Sequence, residues 1–184
     1  MNIQFIVNPS AGQGRYKRVI HDIEQVMSES QHHYDVVVPS YKGEATLLAK
    51  KFAYDHDVVV AVGGDGTVNE VINGLVGTNA IFGIIPAGTG NGFAREFGLP
   101  LHPREACKIL LSEYTRWIDI GKANDRYFVG VAGLGFDALI AKFVGEMFGP
   151  LRGLWIYFFA GMLVFNRYKP SPINIVIDSE SLEV

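Results

Sequence analysis

The stretch Gly63-Gly64-Asp65-Gly66-Thr67-Val68-Asn69-Glu70 decides how the chain is interpreted. It follows an apolar run over residues 58–62, which predicts a fully buried strand. It precedes apolar side chains at spacings of three and four between Val68 and Val76, which predict a helix. Glycines and an aspartate therefore lie where a strand turns into a helix.

This strand-to-helix turn has the chemistry of a phosphate-binding site. Glycine lets the backbone approach a ligand, and a helix N-terminus offers unpaired N–H groups with a partial positive charge. Thr67 and Glu70 have the spacing of a capping box, which predicts where the helix begins. The local pattern leaves an alternative open, in which the glycines only permit a tight turn and Thr67 and Glu70 only cap the helix.

Composition indicates a globular chain with a substantial core. Of its 184 residues 48% are hydrophobic and 19% are charged, which argues against disorder. The net charge of -3 gives no reason to expect nucleic acid as a partner. The single cysteine, Cys107, excludes an internal disulfide and is expected in the core. The apolar run from Leu154 to Phe165 falls short of the roughly 20 residues that span a bilayer.

Three loops rich in glycine and small polar residues follow predicted strands. They are Asn8–Gly14, Gly63–Thr67 and Gly88–Gly92. Strands alternate with helices up to residue 111, which predicts a parallel sheet whose ligands bind beyond the carboxyl ends of the strands. One phosphate-rich ligand across that edge explains all three loops, so we favour it over three independent turns. The first loop lacks the Lys-Ser/Thr ending of a Walker A loop.

The pattern changes after residue 114. Residues 117–121 and 127–131 flank Asn124-Asp125 and predict a hairpin, residues 136–165 are mainly helical, and Ile173–Ile177 predicts a strand without a partner. The predicted fold class is α/β. We expect a parallel-sheet nucleotide-binding domain over residues 1–114, followed over residues 115–184 by the beginning of a β-rich second domain that is apparently truncated.

Together the motifs resemble the diacylglycerol kinase catalytic family, which also includes sphingosine, ceramide and bacterial lipid kinases. The matching segments occur in the family's order and cover nearly the whole chain. These segments are Asn8–Gly14, Gly63–Leu75, Pro86–Asn91 and Gly133–Ala138.

The resemblance implies an ATP:lipid phosphotransferase that uses Mg²⁺ and binds ATP in a cleft between two domains. It implies that Asp65 is a catalytic candidate acting through Mg²⁺ or a water, although Asp65 bonding only to nearby backbone N–H groups is the alternative. The single cysteine suits a reducing compartment, so we expect a cytoplasmic protein. The resemblance implies that it is peripheral at a membrane that presents the lipid substrate. The nucleotide-binding residues implied by motif match are Asn8, Pro9, Ser10, Ala11, Gly12, Gly64, Asp65, Gly66, Thr67, Val68, Asn69, Glu70 and Thr89.

Three departures from the family pattern affect these expectations. Gly92 stands where the family often has aspartate, and Pro39 stands where it has threonine, with Ser40 as the neighbouring hydroxyl. The family's general base and Mg²⁺-binding acidic residues match nothing here. We therefore expect the chain to be the N-terminal portion of a lipid kinase.

Two other functions stay open at this point. The Gly-Gly-Asp-Gly turn also occurs in NAD kinases, although the loops Asn8–Gly14 and Pro86–Asn91 argue against that assignment. A nucleotide-binding module without catalytic activity is the other alternative, because no base for a lipid hydroxyl is evident. The sequence identifies neither the lipid nor the oligomeric state, and the five histidines have no metal-ligand spacing.

Overall fold

The computed structural model describes residues 1–147, 154–165, 168–170, 172, 174–177 and 180–183. Their contacts divide the chain into two compact units, Met1–Val131 and Ala132–Val184. The predicted hairpin therefore belongs to the first unit. The expectation that the second domain begins at residue 115 stays a prediction.

A four-stranded parallel sheet in the order β2-β1-β3-β4 forms the centre of the first unit. The predicted α/β class with a parallel sheet is confirmed. In β3 the residues from Val58 to Val62 are all at most 4% exposed, because this inner strand is covered on both faces. The strands are β1 Asn2–Val7, β2 His33–Val37, β3 Val58–Gly63 and β4 Ile81–Pro86.

Helices cover the two faces of this sheet in pairs. α1 and α5 pack on the face that carries Phe5, whereas α2 and α3 pack on the face that carries Ile6. The helices are α1 Tyr16–Met27, α2 Glu44–Phe52, α3 Asp65–Leu75, α4 Gly92–Glu96 and α5 Pro103–Leu110, with a 3₁₀ turn at Ala11–Gly14. In α5 the thiol of Cys107 is fully buried, and burial raises its pKa to about 11, so it belongs to the core.

The helices α2 and α3 pack closely because Gly74 has no side chain. A Cβ added at Gly74 would lie 2.7 Å from the Cβ of Ala49 and 2.9 Å from the backbone nitrogen of Lys50, and closer still to the carbonyl oxygen of Thr46. The hydroxyl of Thr46 donates to the carbonyl of Glu70 at 2.9 Å. This hydrogen bond holds α3 against α2.

The hairpin is present but shorter than predicted. β5 Gly121–Ala123 pairs antiparallel with β6 Arg126–Phe128, and Asn124 in the turn has φ 52°. The predicted start of its first strand at Trp117 is wrong, and the Trp117 side chain is fully exposed. Among the described residues no strand pairs with 117–120, so the apolar pattern there lacks the hydrogen-bonding partner that a strand needs.

The second unit contains α6 Phe136–Met147, α7 Leu154–Phe165, β7 Asn174–Ile177 and β8 Glu180–Glu183. The prediction that the strand near residue 175 has no partner is wrong, because β8 pairs with β7 in an antiparallel hairpin. Ile173, the predicted first residue of that strand, lies outside the described residues. No helix in the described parts of the chain is both long and apolar enough to cross a lipid bilayer.

Candidate functional site

The three glycine-rich loops lie side by side at one edge of the sheet. They follow β1, β3 and β4, which are adjacent and parallel, so the carboxyl ends of these strands lie at the same edge of the sheet. The loops also bond to one another. The Gly12 N–H donates to the carbonyl of Ala87 at 2.8 Å, and the Ala87 N–H donates to the carbonyl of Gly63 at 2.8 Å. The three loops therefore form one surface, as the sequence predicted.

The amide of Asn8 fixes the first loop against α3. Its Oδ1 accepts a hydrogen bond from the Ser10 N–H at 2.8 Å, and its Nδ2 donates to the hydroxyl of Thr67 at 2.8 Å. Gly12 has φ 59°, and a Cβ there would lie 3.0 Å from the side chain of Val19. Both features favour glycine at this position.

The glycines of the second and third loops are either tightly packed or open to solvent. A Cβ on Gly88 would lie 2.9 Å from the backbone nitrogen of Gly64, so these two loops touch through backbone atoms. A Cβ on Gly66 would meet nothing within 4 Å. The N–H groups of Gly64, Asp65 and Gly66 donate to no acceptor among the described residues. Open N–H groups at the N-terminus of an 11-residue helix suit an anion.

The predicted capping box is wrong. α3 begins at Asp65 with Gly64 as its N-cap, and neither Thr67 nor Glu70 makes a capping bond. The N–H groups of Thr67 and Val68 already donate to the carbonyl of Gly64, at 2.9 and 3.1 Å. The helix therefore starts before Thr67, whose buried hydroxyl accepts from Asn8 instead.

The carboxylate of Asp65 joins the second loop to the third. Oδ2 accepts a hydrogen bond from the Gly92 N–H at 3.1 Å, and Oδ1 accepts one from the Phe93 N–H at 3.0 Å. Asp65 thus bonds to backbone N–H groups, but to those of α4 rather than its chain neighbours. A Cβ on Gly92 would lie 3.7 Å from Oδ1, so the family's aspartate at this position would place a second carboxyl group beside Asp65.

Asn91 shapes the third loop. It has φ 51° and is 7% exposed, and its amide accepts from the Gly88 N–H at 2.8 Å and donates to the Gly88 carbonyl at 3.0 Å. Thr89 lies exposed at the tip of the loop, between these contacts. The sequence motif contained Asn91, but it was not among the predicted site residues.

The other predicted nucleotide-binding residues differ in what they expose. Pro9 and Ser10 are exposed at the loop edge, whereas the side chains of Ala11 and Val68 are buried in the core. A ligand at this edge reaches Ala11 and Val68 only through backbone atoms. Glu70 lies in the second turn of α3, where its carbonyl holds Thr46.

Asparagines on α3 hold the hairpin, and this contact was not predicted. Asn73 accepts from the Tyr127 N–H at 3.0 Å and donates to the Tyr127 carbonyl at 2.8 Å. Asn69 donates to the same carbonyl at 3.2 Å and accepts from Nε of Arg126 at 3.3 Å. The i, i+4 spacing of Asn69 and Asn73 on a helix was the available signal.

The site has few carboxylates. Within the described residues no group of three or more His, Cys, Asp or Glu side chains could hold a metal ion. Asp65 is the acidic side chain next to the open N–H groups of α3. Pro39 is buried, and the N–H of its exposed neighbour Ser40 donates to the carboxylate of Glu44.

Comparison with known proteins gives a consistent result. The family model for the diacylglycerol kinase catalytic domain matches residues 2–123. A diacylglycerol kinase of Mycobacterium tuberculosis is 36% identical over 183 residues, and that of Bacillus subtilis is 31% identical over 181 residues. A crystal structure of a diacylglycerol kinase from Bacillus anthracis superimposes with a TM-score of 0.74 at 30% identity, covering 100% of this chain and 61% of that one.

The two curated relatives are longer than this chain. The match covers 94% of the chain and 58% of the Mycobacterium protein, and 96% of the chain and 60% of the Bacillus subtilis protein. The family model, the relatives and the shared fold agree on one assignment. The chain belongs to the diacylglycerol kinase catalytic family.

Proposed function

We propose that the protein is an ATP-dependent lipid kinase, of which this chain is the nucleotide-binding portion. The reaction transfers the γ-phosphate of ATP to a lipid hydroxyl such as that of diacylglycerol. One observation carries the proposal: three loops converge on the open N-terminus of α3, where three N–H groups have no acceptor among the described residues. Such a surface recognises phosphate through backbone donors and the helix dipole.

The geometry supports specific roles for the loops. The phosphates lie against the N–H groups of residues 64–66, where Gly66 leaves room for them. The first loop from Asn8 to Gly12 and the exposed Thr89 border this surface on its two sides. The carboxyl edge of a parallel sheet is where such ligands bind.

Asp65 is the carboxylate of this chain that would contribute one ligand to Mg²⁺. Each of its carboxylate oxygens accepts one backbone N–H and keeps a further lone pair, and Mg²⁺ in phosphate sites commonly takes one or two carboxylates plus phosphate and water. When bound, the ion would supply positive charge beside the transferred phosphate. Asp65 itself keeps the second and third loops together around the phosphates.

The chain covers less than two thirds of its curated relatives, so the complete reaction is proposed for the protein and not for these residues alone. The proposal places the protein in the cytoplasm, peripheral to the membrane that presents the lipid. The names of the relatives favour diacylglycerol as the lipid.

The test is transfer of radiolabelled γ-phosphate by the complete gene product with Mg²⁺. Diacylglycerol in mixed micelles and NAD serve as separate acceptors, and Asp65→Ala serves as the inactive control. Labelled lipid with wild type and not with the variant is the expected result. Label on NAD alone would establish the NAD kinase alternative. ATP binding by calorimetry with transfer to neither acceptor would favour a non-catalytic nucleotide module.

A further inference from the structure

Arg126 is held close to the phosphate-binding turn by a contact that no sequence motif predicted. Its Nε donates to Oδ1 of Asn69 at 3.3 Å. Asn69 lies three residues after Gly66 and four after Asp65, so all three share one face of α3. One helical turn, about 5.4 Å along the axis, therefore separates the support of Arg126 from the open N–H groups.

The position of Arg126 is fixed by more than this bond. The next residue, Tyr127, is held through both its N–H and its carbonyl by Asn73, at 3.0 and 2.8 Å. A hairpin with three residues in each strand is too small to hold its own position in water. The asparagines of α3 thus determine where the guanidinium group lies.

Arg126 also has unused hydrogen-bonding capacity. No carboxylate among the described residues lies within ion-pair distance of it. Its side chain is exposed, so the guanidinium group is accessible to a ligand. With Nε occupied by Asn69, the two terminal nitrogens present their N–H groups in a fixed fork, which matches the oxygens of a phosphate.

We infer that Arg126 binds the phosphate chain of the nucleoside triphosphate and that Asn69 is a positioning residue for it. This inference rests on the proposed function, which places the phosphates at the N-terminus of α3. Arg126 adds a full positive charge to a site that otherwise offers backbone N–H groups. It selects for a polyphosphate over an uncharged nucleoside.

The test is calorimetric titration of the complete gene product with ATP and Mg²⁺ and, separately, with adenosine. Arg126→Ala should weaken ATP binding about tenfold or more, the effect of losing a charge-assisted contact, and should leave adenosine binding unchanged. It should also reduce the salt dependence of ATP binding. Lys122→Ala is the matched control, since it removes one positive charge from the same hairpin and should have little effect.

Asn69→Ala tests the positioning role. Asn69→Ala and Arg126→Ala each remove the same interaction with phosphate. The double variant should therefore weaken ATP binding by less than the sum of the two single effects. ATP binding that Arg126→Ala leaves unchanged, or that Lys122→Ala weakens equally, would overturn the inference and leave the proposed function intact. Wild type that binds no ATP would overturn both.

Discussion

Gly66 and Gly74 lie on the same helix and have opposite surroundings. A side chain at Gly74 would collide with backbone atoms of α2, whereas one at Gly66 would meet nothing within 4 Å. Gly74 is therefore required by the packing of the protein, and Gly66 keeps a surface open. Glycine is thus present at these two positions of one motif for different reasons, and only the surroundings in the fold distinguish them.

Gly74→Ala tests the close packing of α2 against α3 at this position. The new methyl group would lie 2.7 Å from the Cβ of Ala49 and 2.9 Å from the backbone nitrogen of Lys50, so α2 and α3 must separate. Overpacking of this kind costs about 2 kcal/mol or more of unfolding free energy. Urea unfolding measures it. A loss below about 0.5 kcal/mol would mean that the helix contact is not rigid.

Gly66→Val tests the open surface in front of the N-terminus of α3. We expect wild-type-like folding and ATP binding at least about tenfold weaker, or about 1.4 kcal/mol, because the side chain occupies the space in front of the open N–H groups. Calorimetry measures the affinity. Gly66→Ala should raise the unfolding free energy by roughly 0.5–1 kcal/mol, since alanine suits a helix better than glycine. Unchanged ATP affinity in Gly66→Val would place the phosphates elsewhere.

Asp65→Asn tests the bonds that join the open surface to α4. Asparagine has one acceptor oxygen and no charge, so one of the two bonds to Gly92 and Phe93 is lost. The expected loss is about 1 kcal/mol of unfolding free energy, with faster hydrogen exchange in α4. Glu96→Gln removes the same charge from the other end of α4 and should not destabilise the protein. Equal losses in the two variants would contradict the capping role.

Burial of the Cys107 thiol in the core makes the unfolding free energy depend on pH. Burial raises its pKa in the folded protein to about 11 from 9.0. The folded state binds the proton more tightly, so this stability is fully present below pH 9 and is lost as the pH rises through 11. We expect wild type to lose on the order of 1 kcal/mol more than Cys107→Ala over this range. Parallel urea titrations at pH 8 and 10.5 measure the difference.

Apolar patterns predicted the elements that the core determines. The strands β1, β3 and β4 and their glycine loops follow from buried apolar runs and from the position of glycine after each run. The capping box failed because Thr67 has a tertiary partner, Asn8, which a local pattern cannot contain. The partner strand β8 was missed because its four residues include a single apolar side chain, Leu182, which is too little to show a strand pattern.

The unpredicted contacts of the site are tertiary. Asn73 and Arg126 act through residues more than 50 positions away along the chain, and neither has an unusual local sequence. Asp65 was expected near phosphate, but its bonds to α4 depend on how the third loop returns across the sheet. Spacing indicates which residues share a helix face, but the partner of that face comes only from the fold.

The paired bonds between Asn73 and Tyr127 also govern how the hairpin sheet can grow. Tyr127 lies opposite Lys122 in the register, and its N–H and carbonyl point away from β5, towards the position of a third strand. A side-chain amide satisfies both groups and so blocks edge-to-edge pairing there. Any additional strand, from this protein or from another molecule, is therefore directed to the β5 side.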